Sequence, residues 1–135
     1  IPGELVHASL CVGKSDDGSP FEVAEMLGVG YRRSDFYDIC HEADRVVILR
    51  CKDWDDEYVS KVIETCLSFE GVDYDVKFQL GIKTLYCSEL IVASDPEKRL
   101  QVSYADLIGL NRPYISPMGI YKAKNVDVVW DSQNS

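Results

Sequence analysis

Histidine is almost missing from this chain: 135 residues carry two, His7 and His41. Chemistry that needs an imidazole near neutral pH has two places to happen, and a histidine-built zinc site has almost no ligands. Basic residues are also short, 14 Lys and Arg against 23 Asp and Glu, giving a formal net charge of -9 and a pI near 4.6. A surface of that sign repels phosphate backbones and anionic lipid headgroups, so no nucleic-acid partner is expected. No apolar run reaches the roughly 18 residues that a transmembrane helix needs. The 5 cysteines, Cys11, Cys40, Cys51, Cys66 and Cys87, show no C-x-x-C or C-x-x-x-H spacing. A structural metal site is therefore not expected. Their odd number points to a reducing, cytoplasmic setting. A start at Ile1-Pro2, without Met or signal peptide, leaves secretion of a trimmed chain open. Repeats, linkers and low-complexity tracts are absent as well. At 46% hydrophobic and 27% charged residues, the chain reads as one ordinary globular domain over 1–135.

What is present falls into alternating strand and helix signals. Residues 4–13 and about 20–26 read as two strands joined by the turn-rich Lys14-Ser15-Asp16-Asp17-Gly18-Ser19-Pro20, a β-hairpin signature. In the second strand Phe21, Val23 and Glu25 alternate with Glu22, Ala24 and Met26, which puts Glu25 and Glu22 on opposite faces. Gly28-Val29-Gly30 is not followed by the glycine or lysine of a phosphate loop and reads as a turn. Arg32 and Arg33 after it read as a solvated helix start, with contact to a substrate carboxylate as the alternative. Ser34 is then the cap of a short helix over about 35–42. Arg45 to Cys51 reads as a central strand. Asp53 reads as the cap of a long helix to about Ser68, with Val59, Val62, Ile63 and Leu67 on one face and Gly71 ending it. Residues 97–117 read as loop with a short helix near Tyr104–Ile108. Tyr121 to Trp130 reads as a last strand, and Asp131 to Ser135 as a tail. Cys11, Cys51 and Cys66 sit among apolar neighbours and read as core.

The stretch with chemistry in it is Tyr86-Cys87-Ser88-Glu89-Leu90-Ile91-Val92-Ala93. Leu90, Ile91 and Ala93 fall at near-helical spacing, which places Cys87 at or near a helix N-terminus. Unpaired amides and the positive dipole end there favour a thiolate, the nucleophilic form. The competing reading is a small hydrophobe packed at a helix start. A cysteine nucleophile needs a base in hydrogen-bond reach and a polar group holding that base. His7, in the strand-forming run Leu5-Val6-His7-Ala8, is a better mount than His41 in its polar surface segment. A strand-end histidine satisfied in the core is the alternative for His7.

Taken together, Pro2-Gly3-x-x-x-His7-Ala8-x-Leu10-x-Val12-Gly13, Val23-Ala24-Glu25, Val46-Val47-Ile48-Leu49-Arg50, Tyr74-Asp75 and Tyr86-Cys87-Ser88-Glu89-Leu90 follow one order. That order resembles the circularly permuted branch of the NlpC/P60 papain-like superfamily, the YiiX/YaeF-like group, in which histidine precedes cysteine. The likeness runs from about Pro2 to Tyr114-Ile115-Ser116-Pro117. It implies an α+β papain-like domain, a mostly antiparallel sheet with packed helices, one of them carrying the cysteine. It further implies Cys87 as nucleophile, His7 as base and Glu25 as the orienting third group, with a solvated strand carboxylate as the alternative for Glu25. Tyr74 and Tyr86 become candidate oxyanion donors beside the Cys87 amide, packing being their competing role. The resemblance implies no cofactor and no metal, and a peptide, other amide or acyl-lipid substrate; the oligomeric state stays open. An amidase or peptidase comes first, a lipid acyl hydrolase or acyltransferase second, and an inactive binding module of the same fold third. Two departures stand out. Ala93-Ser94-Asp95-Pro96 stops the cysteine helix early, and the strand that usually precedes the Pro-Gly-x-x-x-His segment is missing.

Overall fold

The computed structural model describes residues 5–13, 21–27, 30–71, 83–102, 105–106 and 113–133. Strands β1 (Leu10–Gly13), β2 (Glu22–Leu27) and β3 (Gly30–Asp35) form an antiparallel sheet with β2 in the middle. The sequence Glu-Val-Ala-Glu-Met-Leu of β2 is not rich in strand formers, and it is pairing on both edges that makes it a strand. Leu10 stands opposite Ala24, Glu25 opposite Arg32, and Val23 opposite Ser34. Gly30 opens β3 at φ 120°, a conformation that side-chain-bearing residues rarely adopt.

Helix α1 (Phe36–Glu42) follows directly, then β4 (Val47–Cys51) and α2 (Asp56–Leu67). Helix α3 (Lys83–Ala93) carries the cysteine segment. Short strands β5 (Ala105–Asp106) and β6 (Pro113–Tyr114) pair with each other, and α4 (Pro117–Tyr121) precedes β7 (Val126–Asp131), which pairs antiparallel with β4. The class is α+β.

Helix α3 is the wall shared by two apolar clusters. Leu90 packs with Val12, Ala24, Met26 and Cys66, which joins α3 to the sheet and to α2. The next residue, Ile91, points about 100° around the helix and packs with Cys51, Leu100, Ile115, Ile120 and Ala123. Ala24, Cys66 and Leu90 are fully buried, and the two small side chains let helix and strand backbones approach closely. Asp95, before Pro96, ends the helix, since a residue preceding proline is pushed out of the α region. Its buried carboxylate accepts from the Tyr58 hydroxyl and from the amides of Arg99 (3.1 Å) and Leu100 (2.8 Å). The stop at Ala93-Ser94-Asp95-Pro96 is thus a built corner with every donor matched.

Several expected elements come out differently. The strand expected over 4–13 is regular only from Leu10, so His7 lies three residues ahead of β1. Arg32, Arg33 and Ser34 are not a helix start but lie in β3, and Asp35 rather than Ser34 caps α1, accepting from the Tyr37 amide. Asp55, not Asp53, caps α2, while Asp53 accepts from the Asn125 side chain. Arg45 to Cys51, expected as a central strand, pairs with β7 alone among the described residues. Residues 105–106 are strand where a helix was expected, and Ser116 caps α4 within a stretch read as loop. Cys51 and Cys66 are core, but Cys11 is exposed. Asp131 closes β7 instead of opening a tail, its buried carboxylate bound by Arg45 through Nε at 3.2 Å and Nη2 at 2.7 Å.

Leu90→Ala should lower unfolding stability by about 2–5 kcal/mol in urea titrations with an unchanged m-value. Val129→Ala, at an exposed position of β7, should change it by less than about 0.5 kcal/mol. Equal effects at the two sites would contradict the assignment of Leu90 to the core.

Candidate active site

The site is assembled from three separate parts of the chain. Glu25 comes from the middle of β2, His7 from the segment ahead of β1, and Cys87 from α3. Pleating turns Glu25 away from Ala24 and Met26, which face the core. On that side its carboxylate is 3% exposed and meets the His7 ring, Nε2 to Oε1, at 2.6 Å. The second oxygen, Oε2, accepts from Arg32 Nε at 3.1 Å, Arg32 Nη2 at 2.9 Å and the Ser34 hydroxyl at 2.7 Å. Glu22, on the opposite face as the alternation requires, binds Arg33 instead.

The His7 imidazole, 35% exposed, also hydrogen-bonds the Cys87 side chain. That bond is the largest influence on the ring, followed by the bond to Glu25; together they outweigh desolvation and raise its pKa from 6.5 to about 9. At Glu25 desolvation is the largest single influence and pushes the pKa up. Bonds from His7, Ser34 and Arg32 overcome it and hold the carboxyl at about 2. Near neutral pH the arrangement is a charged imidazolium between a buried carboxylate and a sulfur. Cys87 itself is 1% exposed, with the Ser88 hydroxyl 3.9 Å from its Sγ.

The cysteine does not sit at the helix end. Helix α3 begins at Lys83, so Cys87 is its fifth residue, just past the first four unpaired amides. Helix extension upstream of the expected start has two consequences: the helix terminus gives the sulfur little, and the Cys87 amide is engaged within the helix. What faces the sulfur is the imidazole. His41 is exposed in the last turn of α1, apart from this constellation. The side chains of Tyr74 and Tyr86 lie outside the described residues. Among the described residues no three His, Cys, Asp or Glu side chains gather to hold a metal ion, and no helix is long and apolar enough to cross a membrane.

Arg32 and Ser34, expected at a helix start and its cap, with a substrate carboxylate as the alternative contact for Arg32, bind Glu25 because they lie in β3. The signal was there: two residues, Gly28-Val29, separate the paired ends Leu27 and Gly30, a hairpin-like spacing. Once β3 is a strand, Arg32 and Ser34 share the face of Glu25.

A family model for permuted papain-like amidase enzymes, YaeF/YiiX, C92 family, matches residues 1–112. No curated protein and no solved structure gave a match.

The protonation pattern is directly measurable. The His7 ring resonances should titrate near pH 9, and Cys87→Ala should move that midpoint back toward 6.5 further than Glu25→Gln does. A His7 midpoint near 6.5 in the unaltered chain would contradict the geometry. Linkage gives the stability counterpart. The raised His7 value stabilises the fold fully below 6.5 and loses that contribution as pH climbs through about 9. The lowered Glu25 value contributes above 4.5 and fades as pH falls toward about 2. The stability gap between wild type and His7→Ala should therefore be widest between these limits and narrow on the alkaline side.

Proposed function

The chain belongs to the permuted papain-like amidase family, YaeF/YiiX, C92, and on that basis we propose that it hydrolyses an amide or peptide bond through Cys87, His7 and Glu25. Membership supports a cysteine hydrolase in general; the residue roles are our assignment. The observation that carries them is the His7 ring, bonded at once to Glu25 at 2.6 Å and to the Cys87 side chain. Cys87 and His7 are 80 positions apart in sequence.

The chemistry follows from who holds the proton. With Nε2 of His7 directed at Glu25, Nδ1 is the nitrogen that holds the proton taken from the Cys87 thiol, and the imidazolium so formed is the resting form. The Cys87 thiolate attacks the carbonyl carbon, and the C–N bond breaks as the imidazolium gives its proton to the departing amine. A thioester remains. Water, deprotonated by His7, attacks it, releasing a carboxylic acid and restoring the Cys87 thiolate beside the His7 imidazolium. Glu25 stays ionised throughout, orients the ring and stabilises its charged form. Tyr74 and Tyr86 are our candidates for donors to the developing oxyanion. No step calls for a cofactor. Because the sulfur is buried and the ring a third exposed, the substrate carbonyl enters past the imidazole. Val6, beside His7, is 65% exposed and offers an apolar contact at that entrance.

A panel of amide, peptide and ester reporters tests the reading. Cys87→Ala and His7→Ala should each lower kcat/KM by roughly three orders of magnitude or more, and the double variant by no more than either alone, because the residues act as a unit. A substrate-derived mass adduct on Cys87 should appear during slow turnover. Iodoacetamide at mildly acidic pH should label Cys87 ahead of Cys11 and Cys40, whose thiols desolvation pushes up. Wild-type turnover by Cys87→Ala would end the proposal. Preference for long-chain esters would favour a lipid acyl hydrolase, and binding without turnover an inactive module.

A further inference from the structure

The geometry points to Arg32 and Ser34 as positioning residues that pin one oxygen of Glu25, leaving the other as the sole acceptor for His7. The inference rests on the Cys87–His7–Glu25 reading above and adds two residues from β3 to it.

The division of labour between the two oxygens is complete. Oε2 takes three donors, Arg32 Nε, Arg32 Nη2 and Ser34 Oγ, at 3.1, 2.9 and 2.7 Å. Oε1 takes His7 Nε2 at 2.6 Å. A carboxylate oxygen has about two lone-pair directions, so Oε2 is saturated. Swapping the oxygens by rotation would break three bonds at a side chain only 3% exposed, where an unmade hydrogen bond is costly. Strand register builds this in: Arg32 stands directly across from Glu25, and Ser34 lies two residues further on the same face. Arg33, between them, points the other way to Glu22.

Charged groups around Glu25 are few among the described residues. His7 reaches it from the segment before β1 and Arg32 from β3, with Cys87 of α3 behind His7. On the outer side Asp35, Asp38 and Glu42 share a surface cleft with Arg32 and Ser34. The Arg32 side chain is 55% exposed, so water screens its charge on that side. Its contribution is therefore a fixed fork as much as a charge. Burial alone would drive the Glu25 carboxyl upward, and Arg32 and Ser34 are two of the groups that prevent it.

The test reads Glu25 directly and through turnover. In carbon-13 NMR the Glu25 carboxyl should titrate near 2 in wild type. In Arg32→Ala it should rise by on the order of one unit or more, and in Ser34→Ala by less. In reporter hydrolysis Arg32→Ala should move the acid limb of kcat/KM upward and lower kcat more than it raises KM. Arg32→Lys should restore the limb but only part of kcat, since ammonium supplies charge without the fork. Arg33→Ala should leave the profile in place. An unmoved Glu25 midpoint in both Arg32→Ala and Ser34→Ala overturns the inference, as does an activity loss that only tracks the loss of folded protein. Should Arg32→Ala fail to fold, Ser34→Ala and Arg32→Lys decide alone. Failure of the triad itself has a different signature, wild-type turnover by Cys87→Ala, and the NMR midpoints stand apart from it.

Discussion

A carboxylate on a side chain only 3% exposed cannot remain charged inside a protein unless its surroundings answer it, and the contacts around β2 meet that requirement at Glu25. Three donors fix one oxygen and one imidazole takes the other. The ring in turn meets the side chain of Cys87, and the bonds to Cys87 and to Glu25 together keep the imidazole charged. Each link needs the one before it. A neutral or misplaced Glu25 would release the ring from its buried anchor. Direction also matters: the chain of contacts runs from a buried end at Glu25 to an imidazole that is 35% exposed.

Packing explains why these groups meet. Helix α3 uses adjacent residues, Leu90 and Ile91, to bind two clusters at once, the sheet with α2 on one side and the β4–β7 region on the other. The cysteine lies one turn from Leu90 and is carried into place by that double anchoring. On the sheet, Ala24 and Met26 commit one face of β2 to the core, which turns Glu25 to the other. The same alternation sends Glu22 to Arg33 and away from the site. The corner at Asp95 anchors the far end of α3, so the helix is held at its end as well as along its side.

Residue by residue, the legible part of the site was its chemistry. His7, Glu25 and Cys87 could be named from motif order, and the fold brings the three side chains together; the contribution of β3 could not be read. A run of Tyr-Arg-Arg-Ser-Asp has one strand former, Tyr31, and its arginines read as solvated. Only pairing with β2 turns every second residue toward Glu25. The helix start was misplaced for a related reason. Lys83 to Tyr86 form helix ahead of the apolar stripe that periodicity can detect, which moves the cysteine from the helix end to its second turn. Cys11 looked like core because its sequence neighbours are apolar, yet its position in β1 leaves it exposed. Neighbours along a strand do not share a face.

By itself the sequence determined the acidic charge, the scarcity of imidazoles, the early end of the cysteine helix and the family pattern from His7 to Cys87. These follow from composition, local chemistry and residue order, which need no long-range contact. Tertiary structure alone decided that Arg32 and Ser34 bind Glu25, and that an imidazole rather than a helix terminus faces the thiol. Register between strands and the rotation of a helix about its axis depend on packing between distant segments, and no local window contains them.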